Sequence, residues 1–284
     1  MKSGFLCCQK AEEAKMAHDD QAPLRAHISD VEWKARCDLA ALYRLAALYG
    51  WDDLIFTHIS ARIAAKDSLV KQPDGSYAPS QTDHFLINPY GIFFNEMKAS
   101  DLVKVDIDGR MVSEVPVMIN PAGFTIHSAI HGALADAHFV LHLHTDHMTA
   151  VSAQKEGLLP LTQNALLLRP QLAYHDYEGV ALELEERARL VADIGQKRIL
   201  MLRNHGTLTW GTTAAEAFTI MYFLEQACRQ QVMALSAGRD GVLEVGQAVQ
   251  DKVAPLSGGI GFVGALVWPG LMRKLNREAP GYDA

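Results

Sequence analysis

Apolar residues recur at three- and four-residue intervals from Leu39 through Leu42, Tyr43, Leu45, Ala46 and Tyr49. That spacing predicts an amphipathic helix, opened by a capping box at Ser29 and Glu32 and stopped by Gly50. Residues 54–63 then alternate with β-branched character, a strand, and the P-D-G at 73–75 reads as a turn. A second strand is expected at 84–88, broken by Pro89 and Gly91, and a hairpin at 102–107 and 111–115 around the D-G at 108–109. Helix is expected at 124–134, strand at 139–144, and helix again to about Gln154. Pro160 and Pro170 make 157–177 read as short strands and turns. The remainder predicts helix at 182–194, strand at 198–202, a turn at 206–211 and a long helix at 213–237. Thr212 or Thr213 would cap that last helix, Glu216 would suit its dipole, and Gly238 would end it.

Neither a repeat nor an interdomain linker interrupts this pattern, so a single α/β domain is expected, with helices covering a mostly antiparallel sheet. Its bounds are taken as 23–240, after a loose polar segment at 1–22. The Gly- and Pro-rich tail at 241–284, with one short helical piece near 262–275, would pack on the domain or on a neighbouring subunit.

Composition narrows the functional classes. The net charge of −7 gives no support for a nucleic-acid partner. No uninterrupted apolar run approaches the ~18 residues that span a bilayer, so no membrane partner is expected. The first 20 residues lack the apolar core of a secretory signal, and Cys7 and Cys8 have no apolar stretch before them to mark lipid attachment. Cys37 and Cys228 fall in helical patterns as small buried thiols, and no C-x-x-C occurs. A reducing, cytoplasmic setting follows.

Against this ordinary background, H-L-H at 142–144 is unusual, because histidine is not a favoured strand residue. Two residues apart on a strand, His142 and His144 leave the same face and can clamp one divalent ion. Hydrogen-bonded core histidines would give the same spelling, and a metal would need a third ligand. His205 offers one, at the end of the 198–202 strand and just before Gly206, although a histidine capping a turn carbonyl would also sit there.

H-L-H-T-D-H-M-T-A-V-S at 142–152, together with L-R-N-H-G-T-L-T-W-G at 202–211, resembles the class II aldolase/adducin family. So do N-P-A-G-F-T-I-H-S-A-I-H at 120–131, N-A-L-L-L at 164–168, Y-H-D-Y-E-G at 174–179 and the helix carrying E-Q-A-C at 225–228. The likeness runs over roughly residues 30–240. It implies the class II aldolase-like three-layer α/β/α fold and a tetramer with sites near subunit interfaces. It also implies one divalent metal on His142, His144 and His205, zinc first, with Fe(II) or Mn as alternatives. Three neutral imidazoles leave an open coordination position, the layout of a catalytic site.

The sequence departs from the family's sugar-phosphate aldolases where chemistry matters. Their P-S-S-E-x-x-x-H stretch, aligned on His127, becomes Asn120, Pro121, Ala122 and Gly123, so the acid/base glutamate is absent. Their phosphate-binding Gly-Asn is Thr57-His58, and their T-P-T-G is N-P-Y-G at 88–91. Phosphate needs several converging N–H and O–H donors, so a non-phosphorylated substrate is expected. The same changes resemble the adducin-like branch, which holds both non-catalytic cytoskeletal adducins and bacterial enzymes, non-haem iron oxygenases among them.

His127 is the candidate to take over acid/base or orienting work, with a supporting hydrogen bond as the plain alternative. His58, Tyr90, Asn120, Gly123 and Phe124 are the candidate substrate-binding positions, Phe124 being equally suited to a core. His131 reads as a packing histidine, His147 as a pocket residue or a helix N-terminal one, and Asn204 as a turn anchor. Residues 174–177 could face a neighbouring chain. The expected activity is a metal-dependent lyase, by aldol cleavage or decarboxylation, on a small hydroxy- or oxo-acid.

Overall fold

The computed structural model describes residues 24–113, 117–180 and 183–284. The loose 1–22 segment, Cys7 and Cys8 lie outside those residues, as does part of the second hairpin strand at 111–115. The central sheet is built from β1 (His58–Ile63), β4 (His84–Ile87), β5 (Val103–Val105), β6 (Phe139–Leu143), β7 (Leu172–His175), β8 (Ile199–Leu202) and β9 (Gly206–Gly211). Their order is β5-β4-β1-β6-β9-β8-β7, while β2 (Leu69–Lys71) and β3 (Tyr77–Pro79) pair apart. Only β7 and β8 run parallel, so the sheet is mostly antiparallel as expected.

Period-two alternation divides the core into two layers. Ile59, Ala61, Ile63, Leu141 and Leu143 face α1 (Asp30–Leu48), α3 (Asp146–Ser152), α4 (Gln163–Leu168) and α6 (Ala214–Leu235). Val140, Leu200, Leu202 and Leu208 face α2 (Pro121–Ala133) and α5 (Glu186–Ile194) on the other side. The result is a three-layer α/β/α fold. Ser29 caps α1 by accepting the Glu32 N–H at 3.0 Å, and Thr213 caps α6 by accepting the Glu216 N–H at 3.1 Å.

A polar cluster beside α1 is enclosed. Glu32 takes Arg36 Nη2 and Lys104 Nζ, each at 2.9 Å, and all three residues are buried. Arg36 Nη1 also donates to the Leu102 carbonyl at 2.6 Å, which ties α1 to the loop before β5.

Three sequence expectations need correction. Residues 206–211 are a strand, not a turn, because T-L-T-W alternates and carries a full ladder to both β6 and β8. Within 157–177 a short helix forms, α4, because Thr162 accepts the Ala165 N–H and nucleates a turn clear of both prolines. The tail holds two helices, α7 (Gln247–Val253) and α8 (Ile260–Glu278), joined by a 3₁₀ segment at Ala254–Gly259. Residues 247–278 are, by length and composition alone, long and apolar enough to cross a bilayer, although polar and charged residues interrupt the apolar run. In the fold α8 lies against α6. Gly264 permits the contact, since a Cβ there would meet the Ala215 carbonyl oxygen at 2.9 Å.

Candidate metal centre

The antiparallel pairings bring the ends of three central strands together: the start of β1, the end of β6 and the start of β9. His58 is the register partner of His142, and Leu208 is the partner of His142 on the other side. His205 precedes β9 in the tight β8–β9 connection, where Asn204 takes a left-handed φ of 57°. Asparagine tolerates that region better than most residues. The chain then returns so close to β6 that a Cβ at Gly206 would lie 2.7 Å from the Leu143 carbonyl oxygen and 2.8 Å from His144 Cδ2. Glycine at 206 therefore lets His205 reach His144.

His142, His144 and His205 converge, each offering one ligand atom within 4.8 Å of the others. Their ring centroids lie 4.7–4.9 Å apart. Hydrogen bonding decides which nitrogen of two of these rings is free. His142 Nδ1 lies 3.2 Å from the Thr207 carbonyl oxygen, which can only accept, so Nδ1 carries the proton and Nε2 keeps its lone pair. His144 Nδ1 donates in the same way to Asp53 Oδ2 at 3.0 Å. The two bare Nε2 atoms then face each other at 3.0 Å. Lone pairs aimed together at that distance repel unless a cation lies between them, so this donor set fits a divalent ion.

Burial keeps the His142 and His205 imidazoles neutral, the form that ligates metal. Burial pushes His142 well below the ordinary 6.5, and His144 and His205 beside it push the same way. Burial, then the neighbouring His144, lowers His205 to about 4.

The other predicted positions divide by what they touch. His58 packs against the centre, its ring centroid 4.9 Å from that of His142. His127 has both nitrogens engaged: Nε2 meets His58 Nδ1 at 2.8 Å and Nδ1 meets Ser60 Oγ at 2.5 Å. It therefore braces His58 instead of presenting a free nitrogen of its own. Burial pushes both His58 and His127 well below 6.5, helped by His127 in the first case and by His131 in the second. Gly123 sits directly under His58. Asn120 caps α2, its Oδ1 accepting the Ala122 N–H at 3.1 Å. Phe124 turns away to the 106–110 turn, under the Arg187 guanidinium at 4.9 Å from its ring centroid. Tyr90 is anchored through its backbone N–H to Met118 (2.8 Å), and among the described residues no hydrogen bond or ring contact joins it to the three histidines.

His131 is buried between Ser60 and the Ala137 carbonyl, as a packing histidine would be. His147 meets Glu225 Oε1 through Nδ1 at 2.5 Å. Tyr177, largely exposed, stands 6.3 Å from the His205 ring, on the rim of its own chain's centre. Two participants were not foreseen. Asp53, 91 positions from His144, and the Thr207 carbonyl fix the ligand tautomers, and no local pattern in the sequence announces either.

A mostly antiparallel sheet covered by helices, with three histidines converging at the ends of its central strands, is the arrangement of one family. Residues 37–232 match the family described as Class II Aldolase and Adducin N-terminal domain, and the chain belongs to that family. A Caulobacter vibrioides protein whose class 2 aldolase name is provisional is 62% identical over 260 residues, 91% of this chain and 95% of its own. The crystal structure of an aldolase II superfamily protein from Pseudomonas syringae superposes with a TM-score of 0.83 at 45% identity, covering 93% of this chain and all of that one. Alpha-adducin of Rattus norvegicus is 42% identical over 205 residues, 71% of this chain but only 26% of the adducin.

Proposed function

We propose that the protein is a metal-dependent lyase that breaks a C–C bond in a small, non-phosphorylated hydroxy- or oxo-acid, by aldol cleavage or decarboxylation. The carrying observation is the pair of bare Nε2 atoms of His142 and His144 at 3.0 Å, with His205 closing on them. Zinc is the proposed ion, and it supplies a Lewis acid that withdraws charge from adjacent substrate oxygens. The protein's own part is to hold three imidazoles together, with His144 and His205 partly exposed and so within reach of substrate. A substrate without phosphate is supported by the N-terminus of α2, where Asn120 spends its side-chain oxygen on Ala122 N–H and Pro121 has no N–H to give. The proposal also has the chain working as a cytoplasmic homotetramer. Outward-facing Phe262 and Leu266 on α8, 71% and 64% exposed, support assembly with other chains.

The test is a panel of hydroxy- and oxo-acids, with and without phosphate, offered to zinc-, manganese- and iron-loaded protein. Cleavage of a non-phosphorylated acid, lost in His142→Ala and on chelation, is expected. Undiminished turnover after metal removal, or preference for the phosphorylated substrate, would refute it. The likeness to alpha-adducin favours one alternative, a non-catalytic oligomerisation module. That alternative predicts no turnover with any member of the panel and no effect of His142→Ala on assembly.

A further inference from the structure

The room in which a side chain at position 123 would begin is filled by His58. A Cβ built on Gly123 falls 2.6 Å from His58 Cδ2 and 2.8 Å from its Nε2. The two residues are thus complementary: the glycine is what admits the imidazole. His58 is moreover the last member of a hydrogen-bonded chain whose direction can be read from its far end.

His131 Nδ1 lies 2.8 Å from the Ala137 carbonyl oxygen, which can only accept, so Nδ1 holds a proton. Burial holds His131 down at about 3, so the ring is neutral and its Nε2 is a bare acceptor. Ser60 has a single hydroxyl proton and gives it to that Nε2 at 2.7 Å. Its oxygen then accepts from His127 Nδ1 at 2.5 Å. His127 is left with a bare Nε2, which accepts from His58 Nδ1 at 2.8 Å. No other arrangement of neutral rings gives every contact its one hydrogen. His58 therefore ends the chain with an unprotonated Nε2, its ring centroid 4.9 Å from that of His142. Among the described residues nothing donates to that nitrogen, although the ring is only 2% exposed.

We propose that His58 stands in for the side chain absent at Gly123, its Nε2 accepting the hydrogen bond of a substrate hydroxyl beside the three-histidine centre. His127, Ser60 and His131 are positioning residues that fix its tautomer. The ligand class is a small carboxylic acid with a free hydroxyl on the adjacent carbon. The assignment rests on the metal-centre reading above and adds to it the group that selects a hydroxyl.

The tautomer is read directly by ¹⁵N NMR of histidine-labelled, zinc-loaded protein. The expected state of His58 is Nδ1–H with bare Nε2, converting to a mixture with Nε2–H in Ser60→Ala, where the chain loses its direction. An Nε2–H form in the unaltered protein overturns the proposal, as does a Ser60→Ala spectrum identical to it. Glycolate and acetate, which differ by one hydroxyl, then serve as probes. Glycolate should shift the His58 Nε2 resonance and acetate should not. The preference for glycolate should fall about fivefold in His58→Ala, the size of one net hydrogen bond. A preference unchanged in that variant also overturns the proposal. Because the tautomer is observed without turnover, a failed lyase assay leaves this assignment standing, and a wrong tautomer leaves the metal centre untouched.

Discussion

Replacing Asp53 by alanine isolates what one buttress contributes to the centre. Its carboxylate receives the His144 Nδ1–H at 3.0 Å, which fixes the ring's orientation and keeps Nε2 bare. Without it, His144 can rotate or shift its proton to Nε2, and either change withdraws a ligand lone pair. Loss of such a supporting hydrogen bond costs 10–100-fold in metal affinity, or about 1.4–2.7 kcal/mol. The Asp53 side chain is 46% exposed, so removing it should change folding stability by no more than about 0.5 kcal/mol. The two effects separate cleanly. Zinc competition against a chromophoric chelator should show Kd rising at least tenfold, while the urea midpoint of the metal-free protein stays put. An unchanged Kd would mean that His144 does not owe its orientation to Asp53. A Kd change matched by an equal loss of apo stability would mean that the effect is general unfolding.

Three further outcomes follow from the same geometry. Stability should decline as pH falls below about 6.5. The unfolded chain binds protons there that buried neutral histidines do not, and His131, held at about 3, alone accounts for about 2 kcal/mol lost by pH 5. Urea midpoints at pH 7.5 and 5 measure this, and equal midpoints would contradict it. Gly206→Ala should cost about 1–3 kcal/mol and weaken zinc binding, because its Cβ would press on the Leu143 carbonyl, a backbone atom that cannot swing aside; an unshifted Tm would refute this. Glu32→Ala leaves Arg36 and Lys104 buried without their shared carboxylate and should destabilise by about 3–5 kcal/mol in chemical denaturation. A loss below 1 kcal/mol would show that the cluster is not sealed from water.

Much of the scaffold was legible in the sequence because its signals are local. The Ser29/Glu32 cap, the spacing from Leu39 to Tyr49 and the short apolar run at 139–143 each fix an element without reference to the rest. H-L-H was legible for the same reason, since a strand places residues two apart on one face. Position 206–211 misled because glycines bracket it. Both are there for close packing: a Cβ on Gly211 would lie 2.6 Å from the Ala217 backbone nitrogen, as one on Gly206 would press on β6, and neither marks a turn. The C-terminal helices were obscured by Pro255, Gly258, Gly259 and Pro269, which a docked helix tolerates. The supporting contacts of the centre could not be read locally at all. Asp53, Ser60 and the Thr207 carbonyl act across 65–91 residues of chain, and only the β1–β6–β9 register brings them to the histidines. His127 carried a catalytic expectation from its motif, yet its surroundings occupy both nitrogens.

The central claim is that His142, His144 and His205 together hold one divalent ion. Elemental analysis of protein purified without chelator and without oxygen tests it most directly, run beside His142→Ala and His205→Ala. About one equivalent of a divalent metal per chain, zinc foremost, falling to background in both variants, is the predicted result. A metal-free preparation that also fails to take up added zinc, or metal content unchanged by both substitutions, would contradict it.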